Sequence, residues 1–275
     1  MMRDGSSKLT AARGSAPGTR RRPLGAFRVG SVCFLNAVPL TRGLEQEVTF
    51  ATPSALAGML ERGELDAALV SVTETLFDGR YDVLDGLGIV SRGEVKSILV
   101  AHRGPIERAR EIYCDPASLT SVNLLRVLLA ERGLQPRFRP LPSYDFAALP
   151  DYALLIGDAA LDFGRASRAH SIWDLGAAWH ELTRLPFVYA VWALRRGVEN
   201  SLLRRRLREA GRLGLETMES IVRERTDYDY AFRKDYLTRC IRYGLGAREK
   251  RGLARFAALL RRHGLGQARA PRFVR

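Results

Sequence analysis

The sequence predicts an α/β chain folded as two lobes with a ligand cleft between them, and three observations carry this. Short apolar, β-rich runs alternate with helical periodicity from residue 27 onward. The strand–helix pattern starts afresh near residue 101, as if a second unit had been inserted into the first. A strand-like run at 187–194, FVYAVWAL, then leads into a C-terminal part with helical patterning. A unit interrupted by another must cross between lobes twice, and we place the crossing strands at 97–102 and 188–193. The expected organisation is a basic tail at 1–26, a first lobe of 27–99 plus 192–275, and a second lobe of 100–191.

Composition sets the outer limits. With 275 residues, 46 % of them hydrophobic, the chain is long enough for two lobes with a proper core. No apolar run approaches the ~18–20 residues of a membrane span. Residues 1–26 hold Arg20, Arg21 and Arg22 but no apolar block of ~7–15 residues, so they do not read as a secretory signal, and a cytoplasmic location is expected. Their Gly, Ser, Ala, Pro and Arg content predicts disorder.

The net charge of +14 suggests nucleic acid until its distribution is read. Basic and acidic side chains number 6 and 1 in residues 1–26, 16 and 20 in 27–194, and 22 and 9 in 195–275. The α/β part is therefore mildly acidic, and the excess lies on the tail and on C-terminal helices. A solvated basic helical face accounts for it, and no nucleic-acid partner is expected. Cys33, Cys114 and Cys240 are odd in number and far apart, which argues against disulfides and a structural zinc. Cys33, near the proposed cleft, reads as a small buried thiol. His102, His170, His180 and His263 stand apart from one another and from acidic neighbours, so no metal is expected.

Taken in order, residues 27–32 form the first strand and 48–51 the second. Thr52-Pro53-Ser54 opens a helix in which Ser54 serves as cap or first-turn hydroxyl, with Leu56, Met59 and Leu60 on one face. The helix stops at Gly63, and 65–72 (LDAALVSV) is a buried parallel-type strand. Strands follow at 83–90 and 95–103, then at 112–115. A turn over 115–121 precedes a helix at 122–131, and further strands are expected near 138–141, 153–157, 171–175 and 187–194. From Arg195 the chain reads as helical, broken at 211–214, 226–229 and 244–246.

Several polar groups fall where strands end, which is where open α/β sheets take ligands. Ser31 ends the first strand, and Asn36, the one amide in an apolar run, either caps the next helix or faces a ligand. Ser97 alternates with apolar residues beside the crossing. Ser118, Thr120 and Ser121 precede a helix, where they cap it or, with free N–H groups, hold a carboxylate or phosphate. Asp158 follows the strand at 153–157 as ligand group, general base or cap, and Glu74 reads as a first-turn helix charge. No phosphate-binding GxxxxGK[ST], dinucleotide GxGxxG or GxSxG elbow is present. Any chemistry must work with hydroxyls, amides and at most one carboxylate.

The motifs GSVCFLNAVPL, PSALAGMLERGELDAALVSVTE, GIVSRGEVKSILV, DPASLTSVNLLRVLL and LLIGDAAL…DLGAAWHELTRLPFVYAVWALR resemble the chorismate dehydratases of the futalosine route to menaquinone. The resemblance runs from about residue 27 to 195, with looser helical similarity beyond. It implies a cytoplasmic enzyme of the type II periplasmic-binding-protein fold. Such an enzyme takes water from chorismate to give 3-[(1-carboxyvinyl)oxy]benzoate, with no metal or organic cofactor. It implies Asn36 and Ser97 as catalytic residues, and Thr120 with Ser121 as the pair that binds a substrate carboxylate. Ser31, Ser118 and Asp158 are further substrate-binding candidates. The partner implied is the small molecule alone, with a homodimer left open. A sister 1,4-dihydroxy-6-naphthoate synthase is disfavoured by residues 31–39, which lack its Ser-Pro-Asn-Asp type motif. A solute-binding protein is disfavoured by the missing signal, and a DNA-binding regulator by the lack of a helix-turn-helix module ahead of residue 27.

Overall fold

The computed structural model describes residues 24–25, 27–115, 118–166, 169–198 and 200–275. The basic tail expected at 1–26 therefore lies outside the described residues, apart from Leu24 and Gly25. Leu24 belongs to the core: it is buried, and its N–H donates to Glu47.

Two sheets organise the chain. The first is built from β1 (Val29–Ser31), β2 (Val48–Phe50), β3 (Ala67–Ser71), β4 (Tyr81–Ser91), β10 (Phe187–Arg195), β11 (Arg242–Leu245) and β12 (Arg272–Val274). Its order is β11-β4-β10-β3-β1-β2, with β12 also on β4. The second contains β5 (Ile98–His102), β6 (Glu111–Cys114), β7 (Arg137–Pro140), β8 (Tyr152–Ile156) and β9 (Ser171–Asp174), in the order β7-β6-β8-β5-β9. The two repeat one plan. In each, three parallel strands (β2-β1-β3 and β7-β6-β8) are followed by an antiparallel strand that enters from the other lobe, β10 or β5.

Helices fill the crossovers: α1 (Pro53–Glu61), α2 (Val72–Phe77), α3 (Leu119–Ala130), α4 (Gly157–Arg165) and α5 (Leu175–Thr183). A 3₁₀ helix, Leu35–Thr41, follows β1. The C-terminal part adds α6 (Ser201–Glu216), α7 (Met218–Glu224), α8 (Tyr230–Asp235), a π-helical turn Tyr236–Cys240, and α9 (Ala247–Arg262). β1, β3 and β8 are almost wholly buried, which is why their sequences read as continuous apolar runs rather than alternating ones.

Several expectations need correction. β5 lies wholly in the second sheet and β10 wholly in the first, so neither strand crosses; the chain changes sheets at 92–97 and at 184–186. By sheet membership we place the lobe boundaries there. The glycines at 211–214 do not break a helix, because α6 runs through them. Gly214 is instead the point where α6 meets the backbone of Pro39, and Gly211 lies under Leu87. The C-terminal part is not all helix either: β11 and β12 pair with β4. Such edge strands, only three or four residues long, leave little periodic signal. Thr52 caps α1, accepting from Ala55 N–H at 3.3 Å, and Ser54 takes the other place expected for it, in the first turn. Cys33 is exposed, whereas burial pushes the Cys114 thiol up to about 12 and the Cys240 thiol to about 11. His263 is not isolated; its Nε2 lies 2.6 Å from Glu131.

Candidate active site

The cleft follows from the topology. In a strand–helix unit the carboxyl end of a parallel strand and the amino end of the next helix share one edge. Here both sheets turn that edge toward the same space. The lining includes Pro53 at the start of α1, Ser71 at the cap of α2, Ser118 at the cap of α3, Ile156 and Gly157 at the start of α4, and Phe34 and Asn36 at the 3₁₀ helix. Five helix N-termini therefore meet around one cleft of about 570 Å³, counted out to its mouth. Apolar walls come from Leu69, Val70, Ile89, Val95, Ile98 and Ala190. Among the described residues, no lining side chain is charged.

The hydroxyls of Ser118 and Ser121 are 2.9 Å apart, and Ser118 Oγ accepts the Ser121 N–H at 3.3 Å. That bond caps α3, so the capping and ligand readings of this stretch coexist: both side chains also line the cleft. Thr120 turns elsewhere. Its hydroxyl accepts from Thr73 N–H at 3.1 Å and donates to Thr73 Oγ1 at 3.0 Å, joining the start of α3 to that of α2. The spacing of three residues puts Ser118 and Ser121 on one face and Thr120 on another.

Asn36 and Ser97 meet in the cleft from different parts of the chain. Asn36 Nδ2 donates to the Tyr236 hydroxyl at 3.1 Å, and Asn36 Oδ1 is buried with no hydrogen-bond partner among the described residues. Ser97 stands just before β5; its carbonyl accepts from Gly157 N–H at 2.8 Å, and its hydroxyl donates to Val95 O at 3.4 Å. Asp174 braces this crossing, accepting from Val95 N–H at 3.1 Å and Lys96 N–H at 2.8 Å while capping α5. Lys96 there adopts φ of 61°, a left-handed conformation that L residues rarely take, and its Nζ reaches Asp235 at 2.8 Å.

Besides Thr120, two more of the sequence-predicted residues are not part of the lining. Ser31 is completely buried, and its hydroxyl points to its neighbour's carbonyl, Val32 O, at 3.4 Å. Asp158 lies one residue beyond Gly157, behind the 3₁₀ helix. Burial pushes its carboxyl above the ordinary range, partly offset by the Leu35 N–H, and one oxygen has no hydrogen-bond partner among the described residues. Three residues went unread. Ser71 could have been found by the strand-end rule that singled out Ser31. Tyr189, whose hydroxyl is 2.8 Å from Ser91 Oγ, reads as ordinary strand. Tyr236 lies 200 residues from Asn36 and carries no local signal. Among the described residues, no group of three or more His, Cys, Asp or Glu side chains is placed to hold a metal ion.

A family model described as menaquinone biosynthesis matches residues 27–262. The chain belongs to that menaquinone-biosynthesis family. Its match takes in the C-terminal helices, where the residue-level likeness had looked loose. Within the family, a chorismate dehydratase from Thermus thermophilus is 31% identical over 85% of this chain and 95% of its own length. The resemblance read from the sequence is thus borne out. Among solved structures, a protein from Archaeoglobus fulgidus gives a TM-score of 0.69 at 17% identity, covering 87% of this chain and 98% of its own. The periplasmic aliphatic sulphonate binding protein of Escherichia coli gives 0.58 at 17% identity, covering 90% and 93%. The fold is that of the periplasmic binding proteins, as expected. No helix among the described residues is long and apolar enough to cross a membrane.

Proposed function

We propose that this chain is a chorismate dehydratase, a carbon–oxygen lyase that binds chorismate between its lobes and eliminates water to form 3-[(1-carboxyvinyl)oxy]benzoate. The observation that carries the reading is the convergence of helix N-termini on a cleft without charged side chains. Chorismate is a dianion, and free N–H groups at a helix start, with the helix dipole behind them, favour an anion by up to ~2 kcal/mol each when partly buried. Serine hydroxyls at 71, 118 and 121 add donors, and the apolar walls accept the ring.

The chemistry asks little of acid–base groups. A proton leaves C3, its electron pair forms the C3–C4 double bond, and the C4–O bond breaks, so that water departs and the ring becomes aromatic. The enzyme's task is to hold the substrate so that elimination outruns rearrangement. In this reading Asn36 and Ser97 bind the leaving hydroxyl. Neither has the pKa of a base, and no lining side chain does. With Asp158 off the lining, the proton goes to a carboxylate of the substrate or to water. A cytoplasmic location goes with this reading.

The test is to mix purified protein with chorismate and follow the loss of its diene absorbance, identifying the product by mass. The reading predicts loss of one water to an aromatic enolpyruvyl ether. Tight binding without turnover would replace it with a solute-binding role, and no binding would remove chorismate as the ligand.

A further inference from the structure

Tyr236 is the residue whose position asks for a role. It comes from the π-helical turn, 200 residues from Asn36, yet it is 1 % exposed and its hydroxyl accepts from the Asn36 amide. Its ring lies parallel to Phe232, with centroids 6.0 Å apart and planes at 11°. The preceding residue, Asp235, holds Lys96 Nζ at 2.8 Å, so this turn is tied to the crossing beside Ser97. Burial pushes the phenol well above its ordinary pKa, so it stays protonated.

Counting protons gives the network a direction. The Tyr236 oxygen accepts from Asn36 Nδ2, which leaves its own single proton for another acceptor. The Ser97 hydroxyl donates separately to Val95 O. With Asn36 N–H donating to Tyr236, the amide presents nitrogen to the tyrosine and oxygen elsewhere, and Oδ1 is the buried atom left without a partner among the described residues. The opposite amide orientation would draw the tyrosine proton to Asn36.

We propose that Tyr236 is a positioning residue for the dehydration, fixing the Asn36 amide for the substrate's leaving hydroxyl; this rests on the chorismate reading above. Asn36 Oδ1 accepts the hydrogen of that hydroxyl. The bond from Ser97 to Val95 O, at 3.4 Å, is the weakest link, so the serine proton turns to the leaving oxygen when substrate is present. The network moves no net proton: the water that departs carries the one removed from C3.

Tyr236→Phe keeps the ring and its stacking and removes only the hydroxyl. We expect kcat for chorismate to fall about 10²-fold, as misplacement of a reacting group costs. KM should stay within about threefold, because ground-state binding rests on other groups. In an Asn36→Ala background the same substitution should cost less than about threefold more, since both act through one amide. Wild-type kcat in Tyr236→Phe, or a full multiplicative loss in the double variant, would overturn the proposal.

A second readout does not depend on turnover. In the ¹H–¹⁵N spectrum of the wild-type protein, the Asn36 side-chain amide, assigned by its loss in Asn36→Asp, should show one proton protected from solvent exchange and shifted downfield. That proton should lose both properties in Tyr236→Phe. If the wild-type protein does not dehydrate chorismate, the proposed function fails, and the Tyr236 assignment stands or falls on this signal. An unprotected Asn36 amide in the wild type would overturn it without any tyrosine variant.

Discussion

Around the outside of the molecule, arginines meet carboxylates: Arg212 with Glu216 at 2.9 Å, Arg42 with Glu224 at 2.7 Å, and Arg196 and Arg272 on Asp82. Inside the cleft, among the described residues, the lining side chains are uncharged, and the polar ones are four serines, one amide and Tyr189, with helix starts around them. Both regions meet negative charge, by different means. Exposed pairs are screened by water and salt and contribute little each. Partly buried dipoles are fixed in place and need no counter-charge, so they act on a bound anion without reorganising. The net charge of +14 is thus not reflected in the described lining of the cleft, which holds no charged side chain.

The contrast is sharpest if the cleft is damaged first. Asn36→Ala and Ser97→Ala, measured separately by steady-state kinetics, should each lower kcat by at least about 10²-fold, as loss of a preorganised polar contact does. Ser97→Ala should change thermal unfolding little, because its hydroxyl makes only a 3.4 Å contact within its own turn, whereas Asn36→Ala should also cost about 1–3 kcal/mol, because it removes the buried bond to Tyr236. Near-normal kcat in either variant would remove that residue from the mechanism.

Gly157→Ala probes the shape of the same site. Gly157 has φ of 58°, and an added Cβ would lie 2.8 Å from the Phe34 ring. We expect about 1–3 kcal/mol of lost stability from the strained backbone. Chorismate binding should weaken as well, because Phe34 and Gly157 both line the cleft. Calorimetric unfolding and a titration check the two effects; unchanged binding would show that Phe34 can move aside freely.

On the outside, the strongest case is Asp82, a buried carboxylate shared by Arg272 and Arg196. Burial pushes its pKa up, but the two guanidinium groups pull it further down, so it sits below the ordinary carboxylate value. A lowered folded-state pKa contributes stability that is present above the unfolded value, about 3.9, and disappears as pH falls through the folded one. Asp82→Asn should cost about 2 kcal/mol near neutral pH, discounted from a fully buried pair because both arginines are partly exposed. Denaturant unfolding should show the gap from wild type closing below about pH 4. A gap that persists in acid would assign the cost to packing. Arg212→Ala, by contrast, should change stability by less than ~0.5 kcal/mol and kcat/KM not at all.

How legible these regions were in the sequence differs in the same way. The parallel strands and their helices declare themselves because burial on both faces leaves continuous apolar runs, as in residues 67–71 and 152–156. Strand ends then pointed to Asn36, Ser97, Ser118 and Ser121, all of which line the cleft. Thr120 and Ser31 look the same in sequence, but a side chain's direction around a helix start, or its depth in a strand, is decided by neighbours distant in the chain. Tyr236 illustrates the limit. Nothing near residue 236 announces a site, and its relation to Asn36 exists only once α8 packs near the 3₁₀ helix. The glycines of α6 mislead for a related reason: what reads as a helix break is a close approach to Pro39.

The most direct measurement is a crystal structure of the Ser97→Ala protein soaked with chorismate. The account predicts a substrate carboxylate on the N–H groups and hydroxyls at the start of α3, the ring against Leu69 and Ile89, and the 4-hydroxyl at Asn36 Oδ1. Chorismate bound instead through arginines on the outer surface, with the cleft empty, would contradict it.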